Sequence, residues 1–140
     1  MEWLCGIDSA AHTGTLQAGG ATIAVLGGGF NHIFPKENIP LYNEILQNGG
    51  AVITEYEPNE RVKSEHFLAR NRIVSGLSMG TLVVEAMYRS GTSVTAALAR
   101  QQGRKVFCVS YPQGDKHGRR NVSLAKRRKS NTSGKCEGYY

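Results

Sequence analysis

Four short apolar runs rich in β-branched residues, at positions 21–26, 51–54, 81–86 and 105–109, read as buried strands. Helical spacing separates them. Asp8 and Ser9 stand ahead of residues 10–18, a short capped helix closed by Gly19 and Gly20. Leu41 and Ile45 share one face of a helix over 40–47, with Asn38 as its cap and Asn48-Gly49-Gly50 as its stop. Two more helices are expected at 67–77 and 92–102, the last closed by Gly103. Strand and helix alternate, and each crossover is long enough to return the chain parallel. The pattern predicts an α/β fold with a doubly wound, mainly parallel sheet and helices on both faces.

Ligands of such sheets collect at the carboxyl ends of the strands. Gly27-Gly28-Gly29, Lys36, the 85–92 stretch and Ser110 all follow strands there. The triplet is no dinucleotide fingerprint, because GxGxxG needs glycine where His32 stands, and no GxxxxGK[ST] loop is present. It suits a turn that lets a ligand or another backbone come close. Lys36 offers a point charge for a phosphate or is simply solvated. His32 and Phe34 offer surfaces for a stacked base, with a core plug as the alternative for Phe34. Arg89-Ser90-Gly91-Thr92-Ser93 opens a helix just beyond a strand, where small residues, hydroxyls and the helix dipole favour an anion. In Arg70-Asn71-Arg72, the two guanidinium groups are two residues apart on one helix and cannot share its buried stripe. Arginine holds phosphate through a charged fork of two parallel donors.

Charge changes the picture less than the net value of +6 suggests. Residues 1–110 carry nine basic and nine acidic side chains, whereas residues 111–140 carry eight basic against two acidic. Anion binding by the folded part must therefore come from local placement. Cys5, Cys108 and Cys136 are odd in number and far apart, which predicts free thiols in a reducing cytoplasm and no metal site. No run is apolar and long enough to span a bilayer, and the first residues do not have the makeup of a secretion signal, so neither membrane nor export is expected. Nucleophilic catalysis has little support: GxSxG is absent and the histidines show no ligand spacing. Glu85, ending a strand, suits a base or a structural bond, and Asp8 with His12 forms a hydrogen-bonding pair at helical spacing, read as structural.

Several blocks together resemble the DNA-processing protein A (DprA/Smf) family. They are Gly6-Ile7-Asp8-Ser9-Ala10-Ala11-His12, Thr22-Ile23-Ala24-Val25-Leu26-Gly27, Phe34-Pro35-Lys36-Glu37-Asn38, Arg70-Asn71-Arg72-Ile73-Val74-Ser75-Gly76-Leu77-Ser78, Val83-Val84-Glu85-Ala86, Ser90-Gly91-Thr92 with Thr95-Ala96, and Gly103-Arg104-Lys105-Val106-Phe107. The blocks keep the family's order and cover about residues 6–109. The resemblance implies a Rossmann-like domain that binds single-stranded DNA without sequence preference, protects it in natural transformation and helps load the bacterial recombinase. It also implies a homodimer, no cofactor and no enzymatic activity. Carried over by motif, the DNA contacts fall on Lys36, Arg70, Arg72, Ser90, Gly91 and Thr92, with Asn38 and Asn71 as additions.

Two departures qualify these expectations. The family pattern has an earlier strand–helix unit ahead of the Gly6-Ile7-Asp8 block, including a glycine/arginine-rich loop of the DNA pocket, so function is expected to be impaired here. After Val109 the chain departs into a basic tail of low order, giving a core at 1–110 and a tail at 111–140. One set of codons for residues 126–140, read one nucleotide later, encodes Lys-Glu-Gly-Lys-Val-Ile-Gln-Val-Val-Asn-Val-Arg-Asp-Ile, a strand-like run typical of the family. A frameshift origin for the tail is the resulting expectation. Two rival readings are a nucleotide phosphoribohydrolase of the lysine-decarboxylase-like group and a nonfunctional gene fragment. The first expects PGGxGTxxE, but no PGG precedes Ser90-Gly91-Thr92 and Thr95 stands where its glutamate would fall.

Overall fold

The computed structural model describes residues 6–84 and 91–109. Along them run α1 (Gly6–Gln17), β1 (Ile23–Val25), single 3-10 turns at Phe30–His32 and Lys36–Asn38, α2 (Ile39–Gln47), β2 (Ala51–Ile53), α3 (Ser64–Leu77), β3 (Gly80–Val83), α4 (Gly91–Gln101) and β4 (Lys105–Cys108). Glu85, Arg89, Ser90, Ser110, Cys5, Cys136 and the 111–140 tail lie outside the described residues.

Three of the helices that feed strands, α1, α2 and α4, end in one way. After α1, Gly19 N–H donates to Leu16 O and Gly20 N–H to Thr15 O. The same pair of bonds recurs after α2 (Gly49 to Leu46, Gly50 to Ile45) and after α4 (Gly103 to Arg100, Arg104 to Ala99). Gly19, Gly49 and Gly103 take φ of 73°, 75° and 70°, the left-handed turn that satisfies the last helical carbonyls and releases the chain into a strand. Glycines that look like mere breakers in the sequence thus set where β1, β2 and β4 begin.

Contacts group the chain into two compact units, Met1–Arg70 and Asn71–Tyr140. In the first, β1 and β2 pair in parallel with Ile23 opposite Ala51 and Val25 opposite Ile53, connected through α2. Its core joins Leu16 of α1, Ala24 of β1 and Ile45 of α2, with Leu41, Tyr42 and Val52 packed against them. Ile45 is fully buried, as the shared face with Leu41 predicts. In the second, β3 and β4 pair in parallel, Gly80 opposite Lys105 and Val83 opposite Cys108, connected through α4. Its core is Val83 and Ala96, covered by Val106 and Cys108. Each unit is a strand–helix–strand crossover, and the molecule is of the α/β, Rossmann-like class.

Local expectations differ from the structure at two helix starts. The first helix begins at Gly6, so Asp8 lies within its first turn and Ser9 is buried, not capping. Asn38 caps nothing: its backbone is helical (φ −87°, ψ −1°) and its side chain makes no cap bond to α2. Its amide Nδ2 instead donates to Ser9 Oγ at 3.1 Å, tying α1 to the start of α2. Burial explains both corrections, because two polar side chains removed from water must satisfy each other.

The glycine triplet brings a backbone close. A methyl group at Gly29 would overlap the carbonyls of Glu57 and Pro58, and one at Gly28 would meet Val62 Cγ2 at 2.7 Å. The approach is locked by Gly29 N–H to Glu60 O and Asn31 N–H to Pro58 O, both 2.9 Å. Replacing Gly29 with alanine must push the 57–62 loop away, and overpacking of this kind typically costs about 1–3 kcal/mol. A lowered urea midpoint with unchanged m-value is expected for Gly29→Ala, measured by circular dichroism.

Candidate functional site

Residues from the 30–39 segment, with Arg61 and Val62, line an open groove of about 390 Å³ just beyond the carboxyl end of β1. Phe30, Asn31, His32, Ile33, Phe34, Lys36 and Ile39 line one wall; Arg61 and Val62 line the other. Phe34 is 58% exposed, so it is a surface ring and not a core plug. It meets the edge of Phe67 with ring centroids 6.3 Å apart. Lys36 is exposed on its turn, directly after Pro35.

The far wall is held from behind. His66 is buried, and its Nδ1 donates to Gly27 O at 3.2 Å. The ring stacks on Tyr56 at 4.1 Å between centroids, while Nε2 faces Glu60 Oε1 at 3.7 Å. The same carboxylate oxygen accepts from Lys63 at 3.3 Å. Glu60 is thus occupied on the side away from Arg61's groove, where it does not line the wall.

Arg70 occupies a different position from a solvated helix charge. It is half-buried, and its Nη1 donates to Val25 O at 2.6 Å. In the β1–β2 register, Thr22 O and Leu26 N–H bond to β2 (Ala51 N–H and Ile53 O), so by strand alternation Val25 O points to the other edge of β1. The guanidinium therefore satisfies a strand-edge carbonyl. It also lies 5.8 Å from the centre of the Phe67 ring. Phe67 thereby links Arg70 to Phe34, and so to the wall that carries Lys36. Arg70 Nε is buried and has no partner among the described residues.

Behind this wall lies a polar cluster contributed by α1 and α2. Asn38 is 7% exposed, and its Oδ1 has no partner among the described residues. Burial raises the Tyr42 hydroxyl above its ordinary pKa, while the Asn38 side chain and the charge of Arg70 pull it partly back. His12 accepts or donates at Nδ1 to Thr22 Oγ1, 2.8 Å away. Its pKa is lowered, by burial first, with Asp8 opposing as a nearby negative charge and Arg70 adding to the fall. Asp8 acts on His12 as a charge, and the hydrogen bond of the ring goes to Thr22 Oγ1.

In the second unit, Asn71 and the start of α4 come together, since a substituent on Gly91 would stand 4.0 Å from Asn71 Nδ2. Gly91 is exposed and Thr92 half-exposed at the helix N-terminus. The Arg72 side chain is exposed, as expected of a residue two positions from the half-buried Arg70. Its carbonyl accepts from Gln102 Nε2 at 2.8 Å, and the fully buried Ser75 hydroxyl lies 2.7 Å from Gln102 Oε1. Thr95, in the place of the hydrolase glutamate, turns its hydroxyl back onto Gly91 O at 3.1 Å. Ser90 and Glu85 lie outside the described residues.

The family model described as "DNA recombination-mediator protein A" matches residues 4–133. The chain belongs to this family. The match runs past Val109, where the sequence comparison by motif ends. Protein Smf of Escherichia coli K12 is 47% identical over 110 residues, covering 79% of this chain and 29% of that protein. DNA processing protein DprA of Streptococcus pneumoniae R6 is 46% identical over 104 residues, covering 74% and 36%. The chain therefore spans about a third of the length of the curated relatives it matches. The X-ray structure of the S. pneumoniae DprA superposes with a TM-score of 0.77 at 40% identity, over 88% of this chain and 43% of that one. A Helicobacter pylori DprA structure, described by its unique single-stranded DNA binding mode, shares the fold at TM-score 0.66 and 22% identity, over 85% of this chain and 66% of that one. No helix among the described residues is long and apolar enough to cross a membrane.

Motif reading in this DprA-family chain passed over Phe30 and Arg61. Neither belongs to a spacing pattern, and only the folding of the 57–62 loop against the glycine turn sets Arg61 facing Phe30. His12 gives a testable consequence. Its folded pKa lies below 6.5, so the unfolded chain binds the proton more readily. Stability contributed by neutral His12 is complete above pH 6.5 and declines as pH falls through the window between 6.5 and the lowered value. His12→Gln is expected to flatten the dependence of the urea midpoint on pH in that window, read from denaturation curves at several pH values.

Proposed function

We propose that this chain binds single-stranded DNA without sequence preference, as a module of DNA uptake and recombination. Two cationic or anion-attracting elements support the reading, one in each compact unit. In the first, Lys36 stands exposed on the groove rim at the carboxyl end of β1, where α/β sheets collect ligands. Arg70 sits close behind through Phe67, and Asn38 holds the Lys36 turn from inside. In the second, Asn71, Gly91 and Thr92 meet at the helix N-terminus, whose dipole and backbone N–H groups favour a phosphate. Arg72 and Ser90 complete the proposed contacts.

The observation that carries the proposal is the exposed Lys36 beside an open groove, in a family that includes a protein described by its single-stranded DNA binding mode. Phosphate contacts of this kind give affinity that falls with salt. The physiological role that follows is handling of incoming DNA in natural transformation and its delivery to a bacterial recombinase. We propose that the chain acts as a homodimer in the cytoplasm, with no chemistry of its own. Hydrolysis of a nucleotide is disfavoured because the hydroxyl of Thr95 is spent on its own helix.

Titration of fluorescent oligo-dT across salt concentrations tests the reading. Lys36→Ala is expected to weaken binding and to reduce the log–log salt slope by about 0.7, the loss of one phosphate contact on a single strand. The fold should persist, because the Lys36 side chain makes no hydrogen bond or ion pair among the described residues, and its carbonyl bond from Ile39 N–H survives the change. Arg70→Ala is expected to weaken binding and lower the urea midpoint together, since Val25 O loses its donor. Unchanged affinity and slope in both variants would reject this site.

A further inference from the structure

We propose that the groove between residues 30–39 and 57–62 is a base-stacking subsite for a single-stranded polynucleotide, with Phe30 and Phe34 taking a base and Arg61 with Lys36 taking the flanking phosphates. The proposal rests on the single-stranded DNA reading above and extends it to Arg61, Phe30 and Phe34.

The groove is lined by apolar residues together with two cations, Lys36 and Arg61. Phe30 and Phe34 keep 48% and 58% of their surface in solvent, and Ile39 keeps 40%. Rings this exposed forgo much of the gain that burial would bring, so they are poorly explained as packing. Lys36 rises from the wall that carries them, and Arg61 from the opposite wall. Among the described residues neither cation makes a hydrogen bond or ion pair with the protein. Glu37, next to Lys36, does not line the groove, and Glu60, next to Arg61, is engaged by Lys63 and His66.

A flat, uncharged ring between two anions is the complement of this surface, and a nucleotide within a strand has that shape. A volume of 390 Å³ is large enough for a base with its sugar, since ligand clefts run from about 300 to 1,000 Å³. Stacking on an aromatic face needs no particular base, so the subsite keeps binding independent of sequence. The walls are preorganised. Asn31 Nδ2 donates to Asn59 Oδ1 at 2.6 Å, and the two backbone bonds from Gly29 and Asn31 hold the Arg61 loop in register. Arg61 can therefore meet a phosphate without ordering its loop at the moment of binding.

The test uses the full 140-residue chain, oligo-dT, and an abasic deoxyribose-phosphate strand of the same length. Phe30→Leu and Phe34→Leu keep an apolar side chain at exposed positions, and circular dichroism verifies their fold. Each is expected to weaken oligo-dT binding about tenfold while leaving the abasic strand unchanged, because only the base loses its stacking surface. Arg61→Ala is expected to weaken both strands and reduce the salt slope by about 0.7, with Arg61→Lys restoring the slope. The subsite is overturned if Lys36→Ala responds as above while Arg61→Ala and both leucine variants bind both strands like the parent chain. Equal losses on the two strands for the leucine variants also overturn it. A parent chain with no salt-dependent affinity for oligo-dT would remove the underlying function and the subsite with it.

Discussion

The close approach of the 57–62 loop to Gly27-Gly28-Gly29 governs the first unit. Beyond β1 the chain passes so near this loop that no side chain fits at Gly28 or Gly29. Backbone donors and acceptors pair across the contact, which removes the cost of burying them unsatisfied. His66 then fastens the turn from below by its bond to Gly27 O, with Tyr56 stacked against the ring. From this one constraint follow the position of both groove walls, the orientation of Phe34 toward Phe67, and the facing of Lys36 and Arg61.

Arg70 holds the architecture of the first unit and is at the same time a proposed DNA contact. Its Nη1 closes a strand-edge carbonyl that would otherwise stay open, and its charge reaches His12 and Tyr42 in the cluster behind the groove. A guanidinium suits both demands because one arm of the fork can hold the backbone while the rest of the planar group remains charged. Lysine offers a single point of attachment and would have to choose. In the second unit the same economy appears at Gln102, which bonds the Arg72 carbonyl and meets the buried Ser75. That pair fixes the residues following Asn71 against the far end of the helix that begins at Gly91.

The two units use the same strand–helix–strand construction but carry different kinds of proposed anion contact. One relies on side-chain cations beside aromatic rings, the other on a helix start bordered by an amide. A polynucleotide carries a repeated phosphate charge and exposed bases, so the two proposed kinds of contact would address different parts of it. Neither unit has excess charge in bulk; the balance of nine basic and nine acidic residues through position 110 leaves attraction to local geometry.

Periodicity and stop residues determined much of this protein directly. The four strands, the four helices and the α/β class were legible because β-branched runs, the Leu41–Ile45 face and the glycine stops act over a few residues. The different environments of Arg70 and Arg72 were legible for the same reason, since helical geometry separates neighbours two apart. Motif order also identified the family. Other features were decided only by tertiary structure. Asn38 became a buried partner of Ser9 instead of a cap, His12 bonded Thr22, and Arg61 faced Phe30 across a groove. Those outcomes depend on segments far apart in the chain meeting in space, and on burial forcing polar groups to find partners there. Spacing along a sequence carries no record of that choice.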